Sequence, residues 1–281
     1  MARSVHALSI VLASGCYGPD IFACTDDAQC GQNGRCESAG YCSFPDSTCP
    51  SGRRFDQLAS PAFASTCVTQ GTIQRGSAVT TFQSDEMTAS ASVSVMPGSL
   101  ILAIPYWDDS LQAVTVTDTL NNTWVAKSLE SIPDGCYNTY GSNVQIFYAI
   151  SSGVGTTTIT ATQAQAGMAF GMFVARYEGV AAMNPEDGSI GMTAPTSSSE
   201  MTAGELTTTG YDLIVAGFHD SKGLGMMTAE TPLTAVVTDT DAIALYADAM
   251  VPADHYALSA MLPASDSNPC WVAAAIAFRA Q

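Results

Sequence analysis

The stretch Thr156-Thr-Thr-Ile-Thr-Ala-Thr162 decides the fold class. Apolar Ile159 and Ala161 alternate with threonines, and a period of two is that of a strand with one covered face. Threonine is β-branched, which suits a pleated surface better than a helix. Outward from this point the same kind of segment recurs: Ala78–Phe82, Ala91–Val95, Leu100–Tyr106, Ala113–Thr117, Thr123–Ala126, Val144–Ile150 and Ala169–Tyr177. It continues through Leu213–Phe218, Ala235–Val237, Ile243–Tyr246, Tyr256–Met261 and Trp271–Phe278. Turn formers separate these runs: Pro97-Gly98, Asn121-Asn122, Pro133-Asp134-Gly135, Gly153, Pro185 to Gly188, Gly210 and Pro263. Two Ala-rich runs, Gly167–Ala175 and Val272–Ala277, are short and uncapped, and read as central strands covered on both faces. The expectation for residues 72–281 is all-β: a two-sheet antiparallel sandwich, jelly-roll-like.

Composition narrows the partners. The chain is 47% hydrophobic and 12% charged, so it has the apolar content to fold. Its net charge is −17, from nine Lys and Arg against 26 Asp and Glu. Beyond residue 75 only Lys127, Arg176, Lys222 and Arg279 oppose twenty acids. Such a surface repels phosphate backbones, which argues against nucleic acid as a partner. It also stands off anionic lipid.

The N-terminus reads as an export signal. Arg3 precedes the apolar run Ala7–Ala13, and small Ser14-Gly15 leads to Cys16. The run is too short to span a bilayer. Leu12-Ala13-Ser14-Gly15-Cys16 resembles the lipobox of bacterial lipoproteins. The resemblance implies that residues 1–15 are removed, that Cys16 is acylated, and that residues 16–23 form a lipidated tether. The expected partner is then a membrane, reached through acyl chains on Cys16; two or three chains anchor firmly where one is marginal. Tyr17 replaces the Asp that retains such proteins at the inner membrane, which implies the outer membrane or cell surface. An ordinary secretory signal is the competing reading.

Nine cysteines leave one over after pairing, and lipidated Cys16 accounts for it. Cys24, Cys30, Cys36, Cys42, Cys49 and Cys67 crowd a segment of Gly, Asn, Asp, Ser and Pro that cannot build a core of its own. Three disulfides there, in any of about fifteen pairings, would staple a module spanning residues 24–71. Zinc is the competing account, but C-x2-C pairs are absent and an exported chain favours oxidation. Cys136 and Cys270 could close a long loop across the body or remain free thiols. Gly34-Arg-Cys-Glu-Ser-Ala-Gly-Tyr-Cys-Ser-Phe-Pro-Asp-Ser-Thr-Cys49, followed by Ser51-Gly-Arg-Arg54, resembles a small Cys-rich module of exported myxobacterial proteins. That implies an exported, stapled stalk or spacer and no chemistry.

The body resembles a β-sandwich module of bacterial secreted and surface proteins. The shared pieces are Gly98-Ser-Leu-Ile-Leu-Ala, Val116-Thr-Asp-Thr-Leu-Asn-Asn-Thr-Trp124, Val144–Ile150, Arg176-Tyr-Glu-Gly and Trp271–Phe278. The module often lies beside carbohydrate-active domains, and the resemblance brings no catalytic residue.

The search for chemistry gives a binding site rather than an enzyme. Tyr106-Trp107-Asp108-Asp109, with Tyr137 and Tyr140, has the composition of a sugar-stacking platform at a strand end. Asp118 with Asn121, and Asp239 with Asp241, are candidate calcium ligands; no other cofactor is expected. No G-x-S-x-G surrounds a serine, and His219-Asp220 and Asp254-His255 are adjacent pairs whose side chains diverge on a strand. The sequence reading is a lipid-anchored surface protein with a non-catalytic sandwich for binding or adhesion, with carbohydrate as the candidate ligand. A structural envelope or matrix protein is the alternative, and a secreted glycoside hydrolase is third.

Overall fold

The computed structural model describes residues 21–281 except 38, 50, 70, 109–112, 138–139, 168, 195–197, 222–224, 241–242 and 263–269. At 133–137, 140, 167 and 194 it describes the backbone alone. The signal segment, Cys16, Asp109 and Asp241 lie outside the described residues.

The Cys-rich segment folds as a small antiparallel sheet. β1 (Arg35–Cys36), β2 (Cys42–Pro45) and β3 (Arg53–Phe55) lie side by side, behind a 3-10 turn at Asp27–Cys30. Cys36 and Cys42 sit opposite each other across β1 and β2. Each is bridged to the segment ahead of the sheet, as Cys24–Cys36 and Cys30–Cys42, while Cys49–Cys67 ties down the far end. With separations of 12, 12 and 18 residues, each bridge is worth about 3 kcal/mol of chain entropy.

The body is built twice. Its first half runs β4 (Gln74–Gln83), β5 (Glu86–Val95), β6 (Leu100–Asp108), β7 (Val114–Asp118), β8 (Val125–Tyr137), β9 (Tyr140–Ile150), β10 (Gly155–Gly167) and β11 (Phe170–Glu178). These form a five-stranded sheet, β4-β11-β6-β9-β8, and a three-stranded one, β5-β10-β7. The second half runs β12 (Glu186–Ala194), β13 (Glu200–Thr207), β14 (Asp212–Asp220), β15 (Thr228–Ala229), β16 (Thr234–Asp239), β17 (Ala244–Val251), β18 (His255–Met261) and β19 (Trp271–Arg279). Its sheets are β12-β19-β14-β17-β16 and β13-β18-β15. Every strand of the second half takes the place of the strand eight positions earlier. In each half the first strand pairs with the eighth, the third with the sixth and the second with the seventh, which is jelly-roll topology. The expected antiparallel sandwich is therefore present in two copies, with four sheets in the body.

The two five-stranded sheets pack face to face, and each three-stranded sheet covers the far side of its own partner. Alternation assigns the faces. Leu100, Leu102 and Ile104 of β6 join Leu213 and Val215 of β14 in the central core, with Tyr177, Tyr246, Ile276 and Phe278. Ile101 and Ala103 point the other way, toward Val93, Val116 and Ile159. Ile214 and Ala216 do the same toward Ala203 and Leu258. Covered on both sides, β11 and β19 are apolar up to Arg176 and Arg279 near their ends, which is why Phe170–Ala175 and Val272–Ala277 are strands, while Gly167 closes β10. At Gly217 the central sheets come so close that a Cβ would lie 2.7 Å from Ile104 Cγ2.

Three stretches differ from the sequence reading. β12 and β13 gave no strand signal, because glycines and carboxylates interrupt their apolar positions, and β12 starts at Glu186, within the expected Pro185 to Gly188 turn. β8 runs on through Pro133-Asp134-Gly135. It is the outer strand of its sheet, with register shifts there, and edge strands tolerate proline.

The Cys-rich module is clamped to the second jelly roll by buried charge. Arg279 pairs with Asp27 of the module at 2.6 Å and with Asp187 at 2.9 Å. Arg35 lies 3.6 Å from Asp212 and 3.7 Å from Glu37. Arg53 donates to the Thr209 carbonyl at 3.0 Å. The carboxyls of Asp187 and Asp212 face each other in this cluster. Burial, and then the Asp187 carboxylate, push Asp212 up to about 8. Burial alone would raise Asp187 as well, but hydrogen bonds from Asp212 and Thr209, with the charge of Arg279, hold it below the usual range.

The folded chain therefore holds a proton on Asp212 that the unfolded chain releases near pH 4, so this group's stabilisation fades as pH rises toward 8. Asp187 acts in the opposite sense, and its contribution is lost only as pH falls through the ordinary carboxylate range. Melting temperature should fall between pH 5 and pH 8, and Asp212→Asn should flatten that fall. An equal slope in both proteins contradicts the shared proton.

Candidate functional site

The sequence placed its stacking platform at the end of β6. The structure turns those rings inward. Tyr106 and Trp107 are both 0% exposed. Trp107 packs among Phe147, Phe170 and Met172, between the five-stranded sheet and the β5-β10-β7 sheet. Tyr106 lies in the central core against Phe173 and His219, at centroid distances of 4.8 and 5.5 Å. Gly171 makes room for it, since a Cβ there would sit 2.2 Å from the ring. The Tyr106 hydroxyl donates to Asp239 of β16, in the other half. A pyranose needs an open ring face, so these two aromatics are core residues rather than a sugar platform. Tyr137 and Tyr140 pair where β8 ends and β9 begins, and their side chains, like Asp109, lie outside what is described.

The same end of the central sheets gathers Asp108, Ser142, His219 and Asp220. Ser142 Oγ is 3.4 Å from His219 Nδ1, and Asp108 Oδ1 is 3.4 Å from His219 Nε2. The order of groups is that of a nucleophile, base and acid. Ser142 and His219 are nevertheless 0% exposed. Ser142 Oγ also accepts the Ser221 amide at 2.9 Å, and Asp220 accepts the Cys270 amide at 2.9 Å. Among the described residues the group is a buried polar tie between the halves. The sequence could not show it, because Ser142, His219 and Asp108 lie on three strands from both halves.

The calcium candidates also resolve in part. Asp118 accepts from the Leu120 amide at 2.8 Å, the Asn122 amide at 3.2 Å, Trp124 Nε1 at 2.7 Å and Thr157 Oγ1 at 3.0 Å. Its oxygens are occupied in shaping the turn after β7, where Asn121 takes φ 56°. Asp118 and Asn121 thus shape the turn after β7. Asp239 is buried and accepts from Tyr106. Among the described residues, the one group of potential ligand atoms close enough to share an ion is that of Cys24, Cys30 and Cys36, and disulfides use those sulfurs. Cys270 is disulfide-bonded; the side chain of Cys136, its expected partner, is outside the described residues.

One outward surface differs from the rest. On the solvent face of the β5-β10-β7 sheet, Thr88–Thr162–Thr115 and Ser90–Thr160–Thr117 stand in rows across the strands. Two shorter rows, Ser92–Thr158 and Ser94–Thr156, continue them. Hydroxyls meet across the strands at 2.8 Å for Ser90 with Thr160 and for Ser92 with Thr158. Charge enters these strands at Glu86, the exposed start of β5, and at Asp118, the buried end of β7; none lies between them in Thr88–Val95, Gly155–Gly167 or Val114–Thr117. The matching sheet of the second jelly roll also opens on a glutamate, Glu200 of β13, and adds Glu205 and His255, which lie 3.8 Å apart. Sequence reading saw the alternation in Thr156–Thr162 and stopped at the strand; the register brought the neighbouring hydroxyls alongside.

No protein-family model, curated protein or solved structure matches the chain.

Trp107→Ala should lower stability by about 3–5 kcal/mol, the cost of emptying an aromatic site in a packed core. Chemical denaturation checks this. A variant as stable as the parent would mean that Trp107 is not packed as described.

Proposed function

We propose that the chain is a lipid-anchored cell-surface protein, held through acyl chains on Cys16, whose non-catalytic double sandwich serves adhesion through an outer face. The observation that carries this reading is the outer face of β5, β10 and β7, where rows of Ser and Thr follow Glu86 on an acidic molecule. The inward groups support it too. Tyr106 with Asp239, and His219 with Ser142 and Asp108, are engaged in holding the halves together. Among the described residues Ser142 and His219 are fully buried, which speaks against hydrolysis.

Cysteine use is consistent with the anchor. Seven cysteines are disulfide-bonded, and if Cys136 completes the fourth bridge, Cys16 is the one left for acylation. The lipobox-like Leu12–Cys16 supplies the sequence context. The docked module keeps the start of the body close to the tether, so it serves as a fixed base rather than a loose spacer. A structural envelope protein with no ligand is the second reading, and the burial of Tyr106 and Trp107 favours it.

Mass spectrometry of the membrane fraction should find an N-terminal Cys16 peptide carrying acyl mass, and Cys16→Ser should move the protein to the soluble fraction. A mature N-terminus elsewhere, or membrane retention of Cys16→Ser, contradicts the anchor.

A further inference from the structure

We infer that the buried charge cluster between the Cys-rich module and the second jelly roll is a pH-released clasp. The module stays docked while one proton lies between Asp187 and Asp212, and it swings free as an intact stapled unit once that proton leaves.

The module is built to separate. Its six cysteines pair only with one another. Its apolar cluster of Cys24, Cys30, Cys42 and Phe44 stands apart from the three clusters of the body, which hold no residue before Ile73. The chain crosses between Cys67, the last stapled residue, and Ile73, the first in the body core. Among the described residues the links across the seam are polar: Arg279 to Asp27, Arg35 to Asp212, and Arg53 to the Thr209 carbonyl. Two clefts open between the surfaces. One of about 350 Å³ is lined by Pro45, Gly52, Thr208 and Asp254, and one of about 120 Å³ by Thr25, Cys36, Ala182 and Asn184. A polar, loosely filled interface lets one unit move on the other, which a large apolar one does not.

Counting charges gives the cluster its proton. Arg35, Arg53 and Arg279 face four carboxyls, Asp27, Glu37, Asp187 and Asp212. Full ionisation leaves one carboxylate too many. Asp212 is the one that lacks support: it is 0% exposed, neither of its oxygens accepts a hydrogen bond, and its ion-pair contact to Arg35 is 3.6 Å long. A buried carboxylate without donors takes its neutral form. The other elements around it supply no relief. Val251 of β17 stands opposite and adds no charge, and Arg279 of β19, also opposite, already holds Asp27 and Asp187. The Tyr256 phenol of β18 is pushed up by burial and by Asp254 and Asp212, so it stays neutral.

The direction of the switch follows. In the docked chain Asp212 loses its proton only near 8, raised first by burial and then by Asp187. Released into water it loses it near 4. The docked state therefore holds one more proton across that range, and its equilibrium constant falls by up to tenfold for each pH unit between about 4 and 8. Asp187, held low, acts in the opposite sense and only at the acid edge. On the lipid-anchor reading above, release turns the fixed base into an extended spacer. That consequence rests on the anchor, whereas the clasp itself does not.

The test uses the full chain carrying Cys16→Ser, so that lipid plays no part and the result leaves the anchor untouched. Hydrogen exchange is taken relative to the intrinsic rate at each pH. From pH 5 to pH 8.5, protection at the seam, in Asp27–Arg35 and Thr207–Asp212, should fall at least tenfold, while Leu100–Asp108 in the core keeps its protection. Small-angle scattering should show a larger radius of gyration at the higher pH. Asp212→Asn, and separately Asp187→Asn, each bring the carboxyls down to the number of arginines and should stay docked at both pH values. Seam protection that does not change with pH overturns the inference. So does a loss shared equally by the core, which is global unfolding, or a pH response that both variants keep.

Discussion

Leu102, Ile104, Phe173 and Tyr177 of one five-stranded sheet meet Val215, Tyr246, Ile276 and Phe278 of the other, and this face-to-face burial is the constraint on which the remaining structure depends. Each fully buried side chain of this kind contributes about 1.5–3 kcal/mol. A jelly roll alone would expose that whole face to water. Duplication supplies the cover, because two copies of one unit have the same apolar face to offer. The interior is then filled from both sides, and small residues stand where the sheets come closest, as at Gly217 and Ala274.

Polar groups ring this core. Tyr106 donates to Asp239 at one end. Arg75 pairs with Asp248 at 2.7 Å, and the Tyr177 hydroxyl bonds to Tyr246 and Asp248. Lys127 meets Glu186 at 2.6 Å, and Tyr148 donates to the same carboxylate at 3.3 Å. Burial and then the Glu186 charge push the Tyr148 phenol up to about 12, so it remains a donor at any physiological pH. Each of these contacts joins the first half to the second. They fix the register of one sheet on the other, which an apolar surface alone leaves loose. Asp108, Ser142 and His219 belong to the same ring, and that is why they imitate a site without being open to one.

Much of this was legible in the sequence, and the rest was hidden for definite reasons. Alternation in Thr156–Thr162 and the apolar runs at Leu100–Tyr106 and Trp271–Phe278 carry the strand signal directly, because burial writes the period. Cysteine spacing marked the stapled module but not its pairing, which depends on Cys36 and Cys42 facing each other across a hairpin. The duplication left faint traces: Leu100-Ile-Leu-Ala103 against Leu213-Ile-Val-Ala216, and Phe170–Tyr177 against Trp271–Phe278, each an apolar run closed by aromatics. Two copies that pack on each other need matching faces, not matching residues, so the traces stay faint. Tyr106 and Trp107 misled because an aromatic pair beside two aspartates looks the same whether it ends a strand in water or in a core. The hydroxyl rows needed the register, which no single strand encodes.

Scanning calorimetry of the disulfide-intact chain tests the shared core most directly. If the two jelly rolls are one unit, the body melts in a single transition, with calorimetric and van 't Hoff enthalpies equal. Two separate transitions, one for each half, would contradict it.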